Sequence, residues 1–303
     1  MITHNAIGWE ADVEYLLSKS LLNMDRLQIK AWMKYQFDPS NMYCAIEDNK
    51  VVSCLQIKRR TMSFHNQKCS VSVITMVATL PDYRQRGYFE SLLEASMNQA
   101  NQNDLITILH TTFPKLFEKR SFQTIVRTKE YWIPAIRVKE GNDKHVKAYT
   151  NNMDLYPAYL KFIHHFDGCI IYSKKEFEEQ IQYHLQYGKK LIVSFDDSNN
   201  ITGFAIYKTT GYAKIEFFIY HDANAVYDII RYLSIRSNTI TFTVSENERF
   251  EKLYALDYPK IQETVLAKLN NYKLFSKWVG QDVHNIQQAY DLLDKPCWNH
   301  FID

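Results

Sequence analysis

Arg84, Arg86 and Gly87 sit in the run Pro81-Asp82-Tyr83-Arg84-Gln85-Arg86-Gly87, with an apolar, β-branched stretch before it and an amphipathic one after it. Two guanidinium groups flanking a residue without a Cβ suit a polyanion. Glycine lets backbone amides approach a phosphate closely, and arginine adds charge-assisted hydrogen bonds. If the following segment is a helix, its first amides and the positive end of its dipole also face the turn. The chemistry implied is capture of a diphosphate.

The flanking elements are legible. Val71, Val73, Ile74, Thr75, Met76, Val77, Ala78 and Thr79 form an almost uncharged run that predicts a central strand covered on both faces. After the turn, Phe89, Leu92, Leu93, Ser96, Met97 and Ala100 recur at spacings of three and four, with Glu90, Glu94 and Gln99 off the stripe. That pattern predicts a helix with one buried face.

Arg84-Gln85-Arg86-Gly87-Tyr88-Phe89 resembles the acyl-CoA pyrophosphate loop of the GNAT N-acetyltransferases, in which Arg or Gln and two variable residues precede Gly, one variable residue and Gly or Ala. Phe89 departs from the final small residue in the manner of the enhanced intracellular survival (Eis) branch, whose loop reads Arg-Arg-Arg-Gly-Leu-Leu. Val77-Ala78-Thr79-Leu80-Pro81-Asp82-Tyr83-Arg84 resembles that branch too, and the resemblance spans Val71 to Phe122. It implies an α/β (α+β) fold of two tandem GNAT-like domains, each a mixed, mostly antiparallel sheet flanked by helices. It also implies acetyl-CoA as co-substrate and acetyl transfer to a primary amine of a small molecule or a lysine. Cofactor contacts would come from Val77, Ala78, Thr79, Arg84, Gln85, Arg86, Gly87, Tyr88, Phe89 and Thr112.

Acetyl transfer to an amine needs an oriented thioester, a deprotonated amine and an acid for the departing thiolate. The family's acid is commonly a tyrosine in the segment matching Leu116 to Phe122, and the residue aligned with it here is Phe117, which cannot donate a proton. His110, at the carboxyl end of its strand, could shuttle one near neutral pH, or could simply end the strand. In the Eis branch the terminal carboxylate is the base, which nominates Asp303. Those relatives continue into a sterol-carrier-like domain for which this sequence has no counterpart. A catalytically silent CoA-binding module is the alternative reading. A peptidoglycan-bridge type of aminoacyl transferase, which would need a basic tRNA surface, is a third.

Length and composition bound the rest. At 303 residues, with 46% hydrophobic and 23% charged side chains, the chain is globular and long enough for two domains. We place these at 1–142 and 143–303, divided at the polar run Gly141-Asn142-Asp143-Lys144. Residues 1–147 carry 20 basic and 15 acidic side chains, the remainder 16 and 19. A basic half for a polyanionic cofactor and an acidic half for a cationic amine fit acyl transfer, and neither half is basic enough for nucleic acid. The five scattered cysteines read as buried thiols, and the adjacent His164-His165 lack helical ligand spacing, so no metal is expected. No apolar run would span a membrane, and the N-terminus has no secretory pattern, which predicts a cytoplasmic protein. Homo-oligomerisation is left open.

Further elements follow from periodicity. Val13, Leu16, Leu17 and Leu21 predict one helix, and Leu27, Ala31, Trp32 and Tyr35 another. Residues 43–46 and 51–57 predict a hairpin closed by Glu47-Asp48-Asn49-Lys50, and Leu105 to Leu109 a strand. Lys115 to Lys119 predict a short helix, and Phe122 to Ile136 a strand pair. The second half repeats the theme. His221-Asp222-Ala223-Asn224-Ala225 stands where its cofactor turn would fall, without the glycine and arginine that a diphosphate needs.

Overall fold

The computed structural model describes residues 1–254, 256 and 258–298. The first half runs β1 (Ile2–Thr3), α1 (Glu10–Ser20), α2 (Arg26–Tyr35), β2 (Met42–Glu47), β3 (Lys50–Phe64), β4 (Gln67–Thr79), α3 (Tyr88–Asn103), β5 (Ile106–His110), α4 (Pro114–Glu118) and β6 (Gln123–Pro134). The second runs β7 (Val146–Ala148), α5 (Tyr156–Ile163), β8 (Cys169–Ile171), α6 (Lys174–Gln186), β9 (Lys190–Phe195), β10 (Ile201–Thr209), β11 (Ala213–Tyr220), α7 (Ala223–Ser234), β12 (Thr239–Ser245), β13 (Lys260–Leu269), α8 (Tyr272–Val279) and α9 (Ile286–Asp291).

All of these strands join one mixed sheet, in the order β1-β2-β3-β4-β5-β13-β6-β12-β11-β10-β9-β7, with β8 on β3. Two parallel pairs, β4 with β5 and β11 with β12, repeat the same strand–helix–strand unit in each half. The sheet does not stop at the polar run near residue 142. β13 returns from the second half to lie between β5 and β6, antiparallel to both. Phe122 to Ile136 forms no strand pair. It is one long strand whose partners, β12 and β13, come from the other half of the chain.

Alternation along the strands sorts the core. Tyr43, Ala45, Leu55 and Ile57 face α3 with Leu92, Leu93 and Met97. Met42, Cys44 and Cys54 face α1 and α2 on the opposite side, with Val13, Leu16 and Trp32. Burying a leucine such as Leu92 or Leu93 contributes about 1.5–3 kcal/mol, which fixes the roll of α3 about its axis. In α2 the buried face is Ile29, Ala31 and Trp32, while Leu27 is exposed, so the predicted stripe is turned by part of a helical turn. The hairpin turns at Asp48-Asn49 and at His65-Asn66 carry positive φ (49° and 56°, 50° and 59°), the primed geometry that matches strand twist. Cys44, Cys54, Cys69 and Cys169 are buried, and all five cysteines are free thiols. Burial pushes Cys44, Cys69 and Cys169 up to about 12.

Candidate functional site

The site begins where β4 and β5 part. Their parallel ladder runs from Val71↔Ile106 to Ile74↔Leu109 and ends there, although β4 continues to Thr79. On its other side β4 stays tied to β3 through Cys54↔Ala78 and Ser53↔Thr79. Ser53 Oγ also donates to Ala78 O at 3.0 Å, and Leu80 N–H to Val52 O at 2.9 Å. β5 leaves with β13, to which Thr111 N–H donates through Thr264 O at 2.8 Å. A register shift between Cys54 and Gln56, with Met76 at φ 47°, bends β4 away just beyond the last shared pair. The edge of Val77, Ala78 and Thr79 that β5 would have covered is thereby left for an extended partner.

The turn after β4 presents donors to the same gap. Gly87 is the N-cap of α3 in the left-handed region (φ 82°), where a side chain is strained, and it offers no capping group. After Arg84 N–H, which donates to Pro81 O at 3.2 Å, the next amide with a protein acceptor is Ser91 N–H, which donates to Gly87 O at 3.1 Å. The amides of 85–90 therefore have no partner among the described residues. They surround the positive end of a helix dipole.

A cleft of about 860 Å³ opens here. Val77, Ala78, Thr79, Arg84, Gln85 and Gly87 form one wall, and Tyr88, Phe89 and Thr112 extend it. The two arginines separate. Arg84 lines the cleft, its Nε donating to Thr79 O at 3.3 Å. Arg86 turns outward, with Nη2 donating to Asp82 O at 2.8 Å, Nη1 3.6 Å from Glu47 and its guanidinium 4.8 Å from the Tyr83 ring centroid. The opposite wall is the α1–α2 turn, Ser20 to Asn23, joined by Phe113 and Leu116. Sequence reasoning missed that turn. Ser20 Oγ is buried without a hydrogen-bond partner among the described residues, and Leu22, Phe113 and Leu116 are exposed around the mouth. Apolar residues stranded at a helix end were the signal.

The residues proposed for proton transfer lie apart. Phe117 is buried, edge-on to Phe89 at 5.5 Å and to Phe122 at 5.8 Å, and belongs to the core under α3. His110 follows Leu109, which faces α3, so it projects on the opposite face of the sheet, the face of α1 and α2. It is in register with Val265, keeps an exposed face and has no side-chain hydrogen bond among the described residues. Protein crowded around the imidazole lowers its pKa by desolvation. Asp303 lies outside the described residues.

On the same face a polar cluster joins the two halves. Gln56 Nε2 donates to Gln36 O at 3.1 Å and to Thr75 Oγ1 at 3.4 Å. Lys58 Nζ and Gln180 Nε2 both donate to Gln36 Oε1, at 2.5 and 3.2 Å. All five side chains are buried. Thr75 immediately precedes the bulge, so this network fixes where the strands diverge. No metal-ligating group of three or more His, Cys, Asp or Glu occurs among the described residues. No helix among them is long and apolar enough to cross a membrane.

Residues 11–125 match the family "Acetyltransferase (GNAT) domain". No curated protein matches the chain. Three solved structures share its fold over 89% of its length. A conserved protein of unknown function from Enterococcus faecalis, a probable N-acyltransferase, is 16% identical with a TM-score of 0.72, and 72% of it is covered. A GCN5-related N-acetyltransferase from Anabaena variabilis is 13% identical (TM-score 0.73, 73% covered). Eis1 from Mycobacterium abscessus is 9% identical (TM-score 0.67, 74% covered). Residues 11–125 are thus similar to the GNAT acetyltransferase domain, and the chain as a whole shares its fold with these three structures.

Proposed function

We propose that the protein transfers an acetyl group from acetyl-CoA to a primary amine of a small molecule or a lysine. The observation that carries this reading is the meeting of the vacated β4 edge with the uncapped start of α3. A diphosphate held by the amides of 85–90 and by Arg84 would direct a pantetheine arm along Val77, Ala78 and Thr79 into the gap. There strand amides would polarise the thioester carbonyl. The proposed domain division at residue 142 keeps every one of these residues in the first half, while β13 from the second supports β5 behind them.

Proton transfer is the uncommitted part of this chemistry. His110 is held toward its neutral form, the form a base needs, on the face opposite α3. Asp303 is the other proposed base. The thiolate of CoA is a good leaving group, so absence of an acid at Phe117 slows the reaction without forbidding it. The test is thiol release on mixing the protein with acetyl-CoA and a panel of polyamines, aminoglycosides and lysine peptides. The burial of Phe117 favours a second reading, a CoA-binding module without turnover. Saturable CoA binding with no thiol release across the panel selects it, and CoA that fails to bind removes both.

A further inference from the structure

The second half contains a counterpart of the first-half cleft, rebuilt with different chemistry. β11 and β12 pair in parallel only at Ala213↔Ile240 and Lys214↔Thr241, and then diverge. β11 stays with β10 as far as Gly203↔Tyr220, and β12 with β6 as far as Ser245↔Thr128. This repeats the arrangement in which β4 stays with β3 while β5 departs. At the divergence lies a pocket of about 380 Å³. Its walls come from the end of β11, the start of α7, the segment after β12 and the end of α5. These correspond in turn to the end of β4, the start of α3, the segment after β5 and the α1–α2 turn.

The anion cradle is closed here. Asp222 is the N-cap of α7 and its Oδ1 accepts from Ala225 N–H at 2.9 Å, so a carboxylate occupies the position that Gly87 leaves open in α3. Phosphate would meet like charge. The walls are rings instead. Phe162 lies 5.0 Å from Phe166 and 5.2 Å from Tyr220, and Tyr220 lies 5.6 Å from Phe250. The Tyr220 hydroxyl is sealed from solvent and, among the described residues, makes no well-aligned hydrogen bond, although it is near enough to Glu248 for the two groups to perturb each other. Burial raises the Glu248 pKa, against the opposing influence of the Tyr220 hydroxyl and of Lys129, whose Nζ donates to Glu248 O at 3.1 Å. Arg249 and Lys252 are exposed at the rim, and His221 is engaged by Ala158 O at 3.1 Å.

We propose that this second cleft binds a small organic cation, an amine on an aromatic or compact apolar body, with the ring walls enclosing the body and Glu248 receiving the charge. Aromatic faces attract a desolvated cation, and 380 Å³ lies within the range of small-molecule sites. The ammonium adds positive charge and N–H donors beside Glu248 and the Tyr220 hydroxyl, both of which line the pocket.

The probe is 2-phenylethylammonium, titrated calorimetrically into the whole chain, with 3-phenylpropionate as an anion of similar shape. The expected result is saturable binding of the cation, at least about tenfold tighter than the anion, and weakened at least about tenfold by Glu248→Gln. Ala223→Trp, at an exposed position on the mouth, abolishes binding. CoA titrated into the same variants reports on the first-half cleft, so retained CoA binding shows that they are folded. That readout also keeps this proposal separate from the acetyl-transfer reading. The proposal is overturned if the cation does not saturate, if the anion binds equally well, or if cation binding survives both substitutions in chains that still bind CoA.

Discussion

Arg84 and Arg86 are equivalent in the sequence and are not in the structure, which yields a sharp prediction. Arg84→Ala removes a guanidinium from the wall of the 860 Å³ cleft; Arg86→Ala removes one already engaged by Asp82 O, Glu47 and the Tyr83 ring. A charge-assisted hydrogen bond contributes about 1.5–3 kcal/mol, and the exposure of Arg84 places it at the lower end, roughly tenfold in CoA affinity. For Arg86, only long-range attraction to the diphosphate is lost, and salt screens it, so the effect stays under about threefold at 0.15 M ionic strength. Calorimetric titration of CoA into both variants and the parent, at two salt concentrations, measures the contrast. Pantetheine, which lacks the diphosphate, binds both variants as it binds the parent. If Arg86→Ala weakens CoA as much as Arg84→Ala, or if pantetheine loses affinity equally, the diphosphate is not held where the cleft places it.

Gly87→Ala adds a Cβ to open space at positive φ, costing about 1 kcal/mol of stability in urea unfolding, with a further loss of CoA affinity if phosphate packs on that α-carbon. Phe117→Tyr adds a hydroxyl between Phe89 and Phe122, and without a partner it costs about 1–3 kcal/mol. Thiol release that rises despite this loss shows the hydroxyl reaching the thiolate; unchanged turnover shows it confined to the core. Gly141→Ala costs about 2 kcal/mol or more, because φ is 99° and the new Cβ would stand 2.3 Å from Tyr227 O, a loss readable as a lowered unfolding midpoint. His184 is half-buried beside Lys189, and its pKa is held well below the ordinary histidine value by desolvation and then by that lysine. The unfolded chain therefore binds a proton that the native state refuses. Stability is lost as pH falls below about 6.5, and urea unfolding at pH 7, 6 and 5 shows a smaller loss for His184→Asn.

Short-range patterns carried the first half of this molecule. The uncharged run 71–79, the glycine at 87 and the stripe from Leu92 to Ala100 each act within a few residues, so strand, turn and helix follow from local sterics and periodicity, and with them most of the cleft wall. In α7, Val226, Ile229, Ile230 and Leu233 recur at the same spacings of three and four, and all four are buried. β12 and β13 were not legible. β13 mixes Lys260, Gln262 and Glu263 with Val265, Leu266 and Ala267, because its first part lies partly exposed beside β6 while its last part is covered by both neighbours. No local window can report that a strand closes more than a hundred residues away, between β5 and β6. Likewise the divergence of β4 from β5, the separation of Arg84 from Arg86 and the α1–α2 turn as the facing wall depend on which strand lies beside which. Residue types set the chemistry that the turn can perform. Long-range pairing decided which of those groups share one space, because a strand's free edge exists only relative to the neighbour that leaves it.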